Sequence, residues 1–345
     1  MRPRELGISF GLLPTGQHNA ITDVPGVRVG NTSLIDGAAV RTGVTAILTH
    51  PGDPFLEKTP AATFVLNGFG KTCGLAQVAE LGVLETPILL TGTLNVPRVA
   101  DALIDWTVRR NPEVLSVNPV VGECNDGFLN DIQGRHVRAE HVFAAIDGAV
   151  NSSVEEGVVG AGVGMTCYGW KGGIGTASRL TDGFALGALV LTNFGAPAEL
   201  RIDGVPVGRE LASGSGGGVG DGSLMVVIGT DAPLDARQLG RIARRGALGL
   251  ARTGSSAGHG SGDFIIAFSN AEPIPHYPPA PILNRRMLAE DGPAITRLFQ
   301  AAVEAVDEAV INSLFAARTV EGRDGHVRRA LPVEQVLRIM KLARP

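Results

Sequence analysis

Three cysteines in 345 residues, Cys73, Cys124 and Cys167, are too few for a disulfide framework, and no CxxC or Cys/His cluster has the spacing of a metal site. A reducing compartment is therefore expected. No stretch approaches 18 uninterrupted apolar residues, and the basic residues Arg2 and Arg4 are followed by no apolar signal core, so neither a membrane span nor a secretory signal is expected. These absences predict a cytoplasmic protein. Surplus charge is lacking as well: 30 Lys+Arg against 34 Asp+Glu leave a net charge of −4. Phosphate backbones and anionic membranes find little to hold on such a surface, which argues against nucleic-acid and membrane partners and in favour of small-molecule substrates.

Apolar residues and glycine are plentiful. At 44% hydrophobic residues and a mean hydropathy of +0.18, the chain can build one large globular core. Glycines 214, 216, 217, 218, 220 and 222 crowd the approach to Ser223, and Leu224, Met225, Val226, Val227 and Ile228 follow as an unbroken apolar run. That run predicts a strand buried on both faces, with a lone hydroxyl at its start. One reading is a flexible surface loop entering a strand, with Ser223 merely its first polar residue. The other is chemical. Glycines permit a strained turn in which the Ser223 hydroxyl attacks the Gly222 carbonyl, and hydrolysis of the resulting ester leaves Ser223 as a new N-terminus. Its α-amine, with a reference pKa of roughly 7.7–8.0, could then activate the hydroxyl.

Along the rest of the chain, residues 19–31 predict a strand meander, and 42–49, 61–66, 87–91, 186–192 and 264–268 predict strands. Helices are expected over 74–81, over 97–108 with Val99, Leu103, Ile104 and Val108 on one face, from a cap at Asp231 or Asp235 to about 251, over 295–317 and over 331–342. Gly70-Lys71-Thr72 fails as a nucleotide loop, because Val65 stands where the pattern needs glycine. The glycines of 157–165 lack a dinucleotide fingerprint and suit close sheet packing. Arg237, Arg241, Arg244 and Arg245 read as a solvated helix face.

Four places can carry chemistry. Glu123, Asn125 and Asp126 end an apolar run beside a glycine turn, which is either a polar end presented to a pocket or an Asx-type turn with solvated carboxylates. Asn193 sits just past a strand end, where its amide could donate to an oxyanion. Ser261 and Asp263 stand at the start of the 264–268 strand, as Ser223 does at its own, and alternation puts them on one face. His259 is a rival base, though a loop histidine is more often a structural hydrogen bonder.

Residues 19–30, Gly122-Glu123-Cys124-Asn125-Asp126-Gly127-Phe128-Leu129-Asn130-Asp131, residues 168–179, Gly222-Ser223 and Ala251-Arg252-Thr253-Gly254 together are far more specific than any one of them. The combination resembles the DmpA-type L-aminopeptidase/D-esterase family, which includes the β-peptidyl aminopeptidases, over about residues 6–320. The resemblance implies an autoprocessed N-terminal serine hydrolase with a four-layer α/β/β/α sandwich, similar to N-terminal nucleophile hydrolases but differently connected. It implies one peptidase domain over 1–345, cut into fragments 1–222 and 223–345 and assembled as a homo-oligomer, commonly a tetramer of fragment pairs. By motif, Ser223 matches the nucleophile, Asn193 an oxyanion donor, Ser261 a second serine that positions or protonates the reacting groups, and Asp263 an acidic residue that is glutamate in the family. Glu123 and Asn125 match residues that bind the substrate's free amine. The expected substrates are short peptides, amides or esters, and neither a metal nor an organic cofactor is expected. An acyltransferase of the ornithine acetyltransferase type, which uses threonine, and a non-catalytic oligomeric binder are the alternatives.

Overall fold

Strand Ser223–Thr230 is buried along its whole length, as its unbroken apolar run requires. In the computed structural model, which describes residues 1–211 and 222–343, it lies inside the larger of the two main sheets, beside which there are two small two-stranded ones. The order there is Ile274–Pro275, Glu57–Gly68, Gly262–Ser269, Ser223–Thr230, Phe184–Asn193, Gly173–Thr181. The smaller sheet runs Arg28–Asp36, Val40–Leu48, Ile88–Gly92, Val120–Cys124. The glycines between 213 and 221, and with them the expected strained turn, lie outside the described residues.

Alternation along the central strand sends its two faces into different layers. Met225 and Val227 meet Leu90, Val120 and Cys124 of the smaller sheet, together with Phe264, Ile266 and Phe268 of the neighbouring strand. Leu224, Val226 and Ile228 turn the other way, onto helices Ala236–Arg252 and Pro293–Ala316. The outer face of the smaller sheet is covered by Val96–Arg110 and Ala139–Asp147 through Val99, Leu103, Val142 and Ile146. Helix, sheet, sheet, helix is thus the order of layers, the expected α/β/β/α sandwich. A core strand in such a stack has no wet face, which is why period-two patterning is absent from 224–228.

Several expected boundaries shift for physical reasons. Residues 19–31 are not a meander: Asn19 takes a positive φ of 46°, a short 3-10 turn covers Ile21–Asp23, and the first strand begins at Arg28. The glycines of 157–165 pack closely on the sheets as expected, from a 3-10 turn at Gly160–Gly164: a Cβ at Gly160 would fall 2.9 Å from the Val44 carbonyl oxygen and one at Gly162 2.6 Å from the Ile174 amide, while Gly157 bridges Ile174. On Val96–Arg110 the buried stripe continues through Ala102 and Trp106, while Ile104 and Val108 are exposed. Asp235 caps its helix through the Gln238 amide at 2.7 Å, and Asp231 instead accepts from the Ala185 amide. The four arginines are not a bare solvated face, for Arg237 and Arg241 both pair with Glu290 and Arg245 stacks on Phe299.

Arg179, fully buried, ties three parts of the chain together. Its Nε donates to Glu304 at 3.0 Å, one Nη to Glu308 at 2.7 Å and to the Phe10 carbonyl at 2.8 Å, while Arg4 reaches the same Glu308. Lys171 is buried too, and its ammonium is held by the carbonyls of Gly162, Met165 and Gly172. Burial pulls it down to about 7.

Candidate active site

Strand pairing brings the nucleophile candidate to its partners. Ser223 lies opposite Asn193 on one side, in antiparallel register, and opposite Gly262 on the other, in parallel register. Three consecutive strands therefore deliver Asn193, Ser223 and the Ser261–Asp263 segment to one end of the larger sheet. Glu123, on the last strand of the smaller sheet, comes to the same place from across the interface. A cleft of about 330 Å³ opens there, lined by Ser223, Gly222, Asn193, Glu123, Asn125 and Thr93 among others.

Neighbours orient several polar groups in and beside this cleft, whose lining includes Gly260 but neither Ser261 nor Asp263. Asn193 accepts the Thr166 backbone amide on Oδ1 at 2.8 Å, so its Nδ2 is the end left to donate. Ser261 donates to Asp263 Oδ1 at 2.7 Å, which joins the two residues as their shared face required. The loop before them is fastened by the Asn67 amide, which donates to the carbonyls of Gly258 and His259. Burial pushes the Asp263 carboxyl up to about 6, against the opposing pull of the Ser261 hydroxyl. Its Oδ2 is buried with no hydrogen-bond partner among the described residues, a costly state for an ionised carboxylate and one that favours a proton there.

Glu123 is 2% exposed, so its carboxylate is not solvated. The Lys71 backbone amide donates to Oε1 at 2.8 Å and the Thr93 hydroxyl to Oε2. Asn125, by contrast, does form an Asx-type turn, accepting the Gly127 amide at 2.9 Å, yet it also lines the cleft. Asp126 is wholly buried and raised to about 6, chiefly by desolvation. His259 is exposed and is not among the cleft residues. Gly70-Lys71-Thr72 comes to the cleft, where Lys71 lines it and offers its backbone amide to Glu123. A Cβ at Gly70 would come within 2.4 Å of the Phe264 ring and 3.3 Å of Glu123.

Gly222 is tightly seated. A Cβ there would fall 2.1 Å from the Asn193 carbonyl oxygen, so no other residue fits without moving the strand. Its own carbonyl oxygen accepts the Gly262 amide at 3.0 Å. The carbonyl preceding Ser223 is thereby held and polarised. Sequence reasoning missed Thr93, Thr166, Phe69, Phe128 and Arg328, which support or line the cleft. Thr166 and Arg328 come from segments with no period or motif to mark them, and only the tertiary fold assembles them.

Comparison with known proteins follows the same lines. The model of peptidase family S58 matches residues 19–328. A β-peptidyl aminopeptidase, BapA of Sphingosinicella xenopeptidilytica, is 42% identical over 100% of this chain and 92% of its own. Among solved structures, the PH0078 protein of Pyrococcus horikoshii superposes with a TM-score of 0.95 at 49% identity, covering 99% of each chain. The L-aminopeptidase D-Ala-esterase/amidase of Ochrobactrum anthropi, described as a variant of the Ntn hydrolase fold, superposes at 0.93 with 36% identity over 99% of this chain and 98% of that one. With a family match spanning most of its length and relatives of this similarity end to end, the chain belongs to peptidase family S58, the serine aminopeptidases.

Proposed function

We propose that this aminopeptidase releases N-terminal residues from short peptides, amides or esters through an acyl-enzyme on Ser223, which it first frees by cutting its own chain. The observation that carries this reading is the register of Asn193, Ser223 and Gly262 on adjacent strands, facing Glu123 across one cleft. In the maturation step, Ser223 Oγ attacks the Gly222 carbonyl carbon, the Gly222–Ser223 C–N bond breaks, and the nitrogen takes up a proton as the ester forms. Water then hydrolyses the ester, leaving a carboxylate on Gly222 and a free α-amine on Ser223. In turnover that amine takes the Oγ proton as the hydroxyl attacks the substrate carbonyl, Asn193 Nδ2 donates to the oxyanion, the leaving amine departs protonated, and water then hydrolyses the acyl ester to release the N-terminal residue and restore the hydroxyl. Ser261 and Asp263 relay protons in both stages. The names of the relatives support peptides, amides and esters as substrates.

Glu123 anchors the substrate's ammonium, helped by Asn125. Its two oxygens already hold one donor each, so the carboxylate is fixed in place before an ammonium arrives. N-acetylation of a substrate amide should therefore abolish measurable turnover, and Glu123→Gln should raise KM sharply. Equal kcat/KM for acetylated and free-amine amides would remove Glu123 from this role. The same reading takes the protein to be a cytoplasmic homo-oligomer, a tetramer of fragment pairs, and sedimentation of the purified protein measures that directly. No described helix is long and apolar enough to cross a membrane.

Acidity offers a second check. Two groups must lose protons for turnover: the α-amine, with a reference pKa of roughly 7.7–8.0, and Asp263, raised to about 6. With falling pH, log kcat/KM should drop with a slope of one below the amine value and steepen to two below the Asp263 value. Asp263→Asn should be slower, by about 10²-fold or more, and keep only the first slope. A steep limb that survives in Asp263→Asn belongs to another group, with buried Asp126 next in line.

A further inference from the structure

The cleft that holds Glu123 also contains a cation for which the aminopeptidase reaction has no use. Arg328 lines it, half-buried, with its guanidinium carbon 3.3 Å from the centre of the Phe128 ring. The same ring also stacks with His326, at 4.6 Å with an interplanar angle of 14°. Arg328 Nε donates to the Thr166 hydroxyl at 3.1 Å. Desolvation alone lowers its pKa, with no carboxylate among the described residues raising it. One face and one N–H of the fork are thus committed, and the Nη edge remains. A guanidinium fixed by stacking, partly desolvated and with no counter-ion among the described residues presents the planar double donor that matches a carboxylate.

We propose that Arg328 reads the C-terminal carboxylate of the substrate, so that the preferred substrates are dipeptides with both ends free. This inference rests on the aminopeptidase reading above and narrows its substrate class. Glu123 takes the ammonium and Arg328 the carboxylate, and the cleft of about 330 Å³ that separates them is at the small end for ligand sites, suited to two residues rather than a longer chain. Lys71, whose ammonium lies 4.4 Å from the Phe69 ring at the same cleft, adds positive potential to it. Thr166 links Arg328 to the site by its two ends, its hydroxyl to the guanidinium and its amide to Asn193. The carboxylate reader is therefore held in a fixed relation to the group that meets the scissile carbonyl.

The test compares three substrates sharing one well-cleaved N-terminal residue: a dipeptide with a free carboxylate, its C-terminal amide, and a dipeptide amide whose second residue is aspartate. In the wild-type protein the free acid should exceed its amide in kcat/KM by about tenfold or more, through KM, as expected for a charge-assisted bidentate contact. Arg328→Gln should bring that ratio close to one, and Arg328→Lys should recover part of it. An unchanged ratio in Arg328→Gln overturns the assignment, as does a ratio that disappears in Lys71→Gln instead. Equal losses on all three substrates would mean that Arg328 acts only by steadying Thr166 and Asn193. Preference for the aspartyl amide over the free acid would assign the guanidinium to an acidic side chain and overturn the dipeptide reading. If the peptide amide is cleaved but the acid is not favoured, this inference falls alone; if none of the three is cleaved, the aminopeptidase reading falls with it.

Discussion

Ser223→Ala is expected to migrate as one uncut chain under denaturing conditions and to hydrolyse no substrate, whereas the wild-type protein is expected to separate into fragments of residues 1–222 and 223–345. The substitution removes the attacking oxygen of both stages while leaving the strand intact. Ser223 is 5% exposed and its neighbours Leu224 to Ile228 supply the packing, so loss of one hydroxyl should not unfold the protein. Ser223→Cys should still cut, because a thiol can perform the same acyl shift. Intact mass and N-terminal sequencing decide the matter. A smaller fragment beginning anywhere but Ser223, or full activity in a demonstrably uncut chain, would overturn the mechanism. Gly222→Ala probes the same step from the other side of the bond. Its Cβ would collide with the Asn193 carbonyl, displacing the held carbonyl, and cleavage should slow while the serine remains present.

Asn193→Ala should lower kcat by about 10²–10³-fold, or roughly 2.7–4 kcal/mol, with a much smaller change in KM. Charge reaches the carbonyl oxygen only as the tetrahedral intermediate forms, so a donor aimed at that position acts on the transition state and not on substrate binding. Orientation is the second requirement. Thr166 holds the amide oxygen by a backbone N–H, which valine keeps, and so Thr166→Val should disturb Arg328 more than it disturbs Asn193. Near-normal kcat in Asn193→Ala would take this residue out of the oxyanion hole.

The layers of the fold were legible where a run of side chains had a single explanation. Residues 224–228 are apolar without alternation, and only a strand covered on both faces accepts that pattern; the structure buries all of them. The long helix was equally plain, since its apolar positions recur over six turns and it is found at Pro293–Ala316. Residues 19–31 misled because Val and Ile there fill the core from a turn, where a positive φ at Asn19 and a half-buried Asp23 carboxylate that binds the His18 and Ala20 amides replace sheet pairing. Local propensity cannot see hydrogen bonds of that kind.

The site divides in the same way. Ser223, Asn193, Ser261 and Asp263 stand at strand ends, so reading the strands correctly places all four near one edge. Glu123 was ambiguous between a solvated turn and a pocket, because burial depends on Thr93 and Lys71, which are 30 and 52 residues away. Arg328 left no trace at all: one of several arginines in a polar stretch becomes a cleft residue only when Phe128 and Thr166 are brought against it.

Arg179 belongs to the segment before the proposed cut, and Glu304 and Glu308 to the segment after it. The ladder between Phe184–Asn193 and Ser223–Thr230 likewise joins one side of the cut to the other. In the mature protein these would be contacts between two separate polypeptides, so unfolding becomes a dissociation. Its midpoint should then rise with protein concentration, while the uncut Ser223→Ala chain loses this contribution, and refolding of the mature form becomes a second-order encounter between fragments. A protein that matures in this way folds once as a single chain and can return to its native state afterwards only by finding a partner.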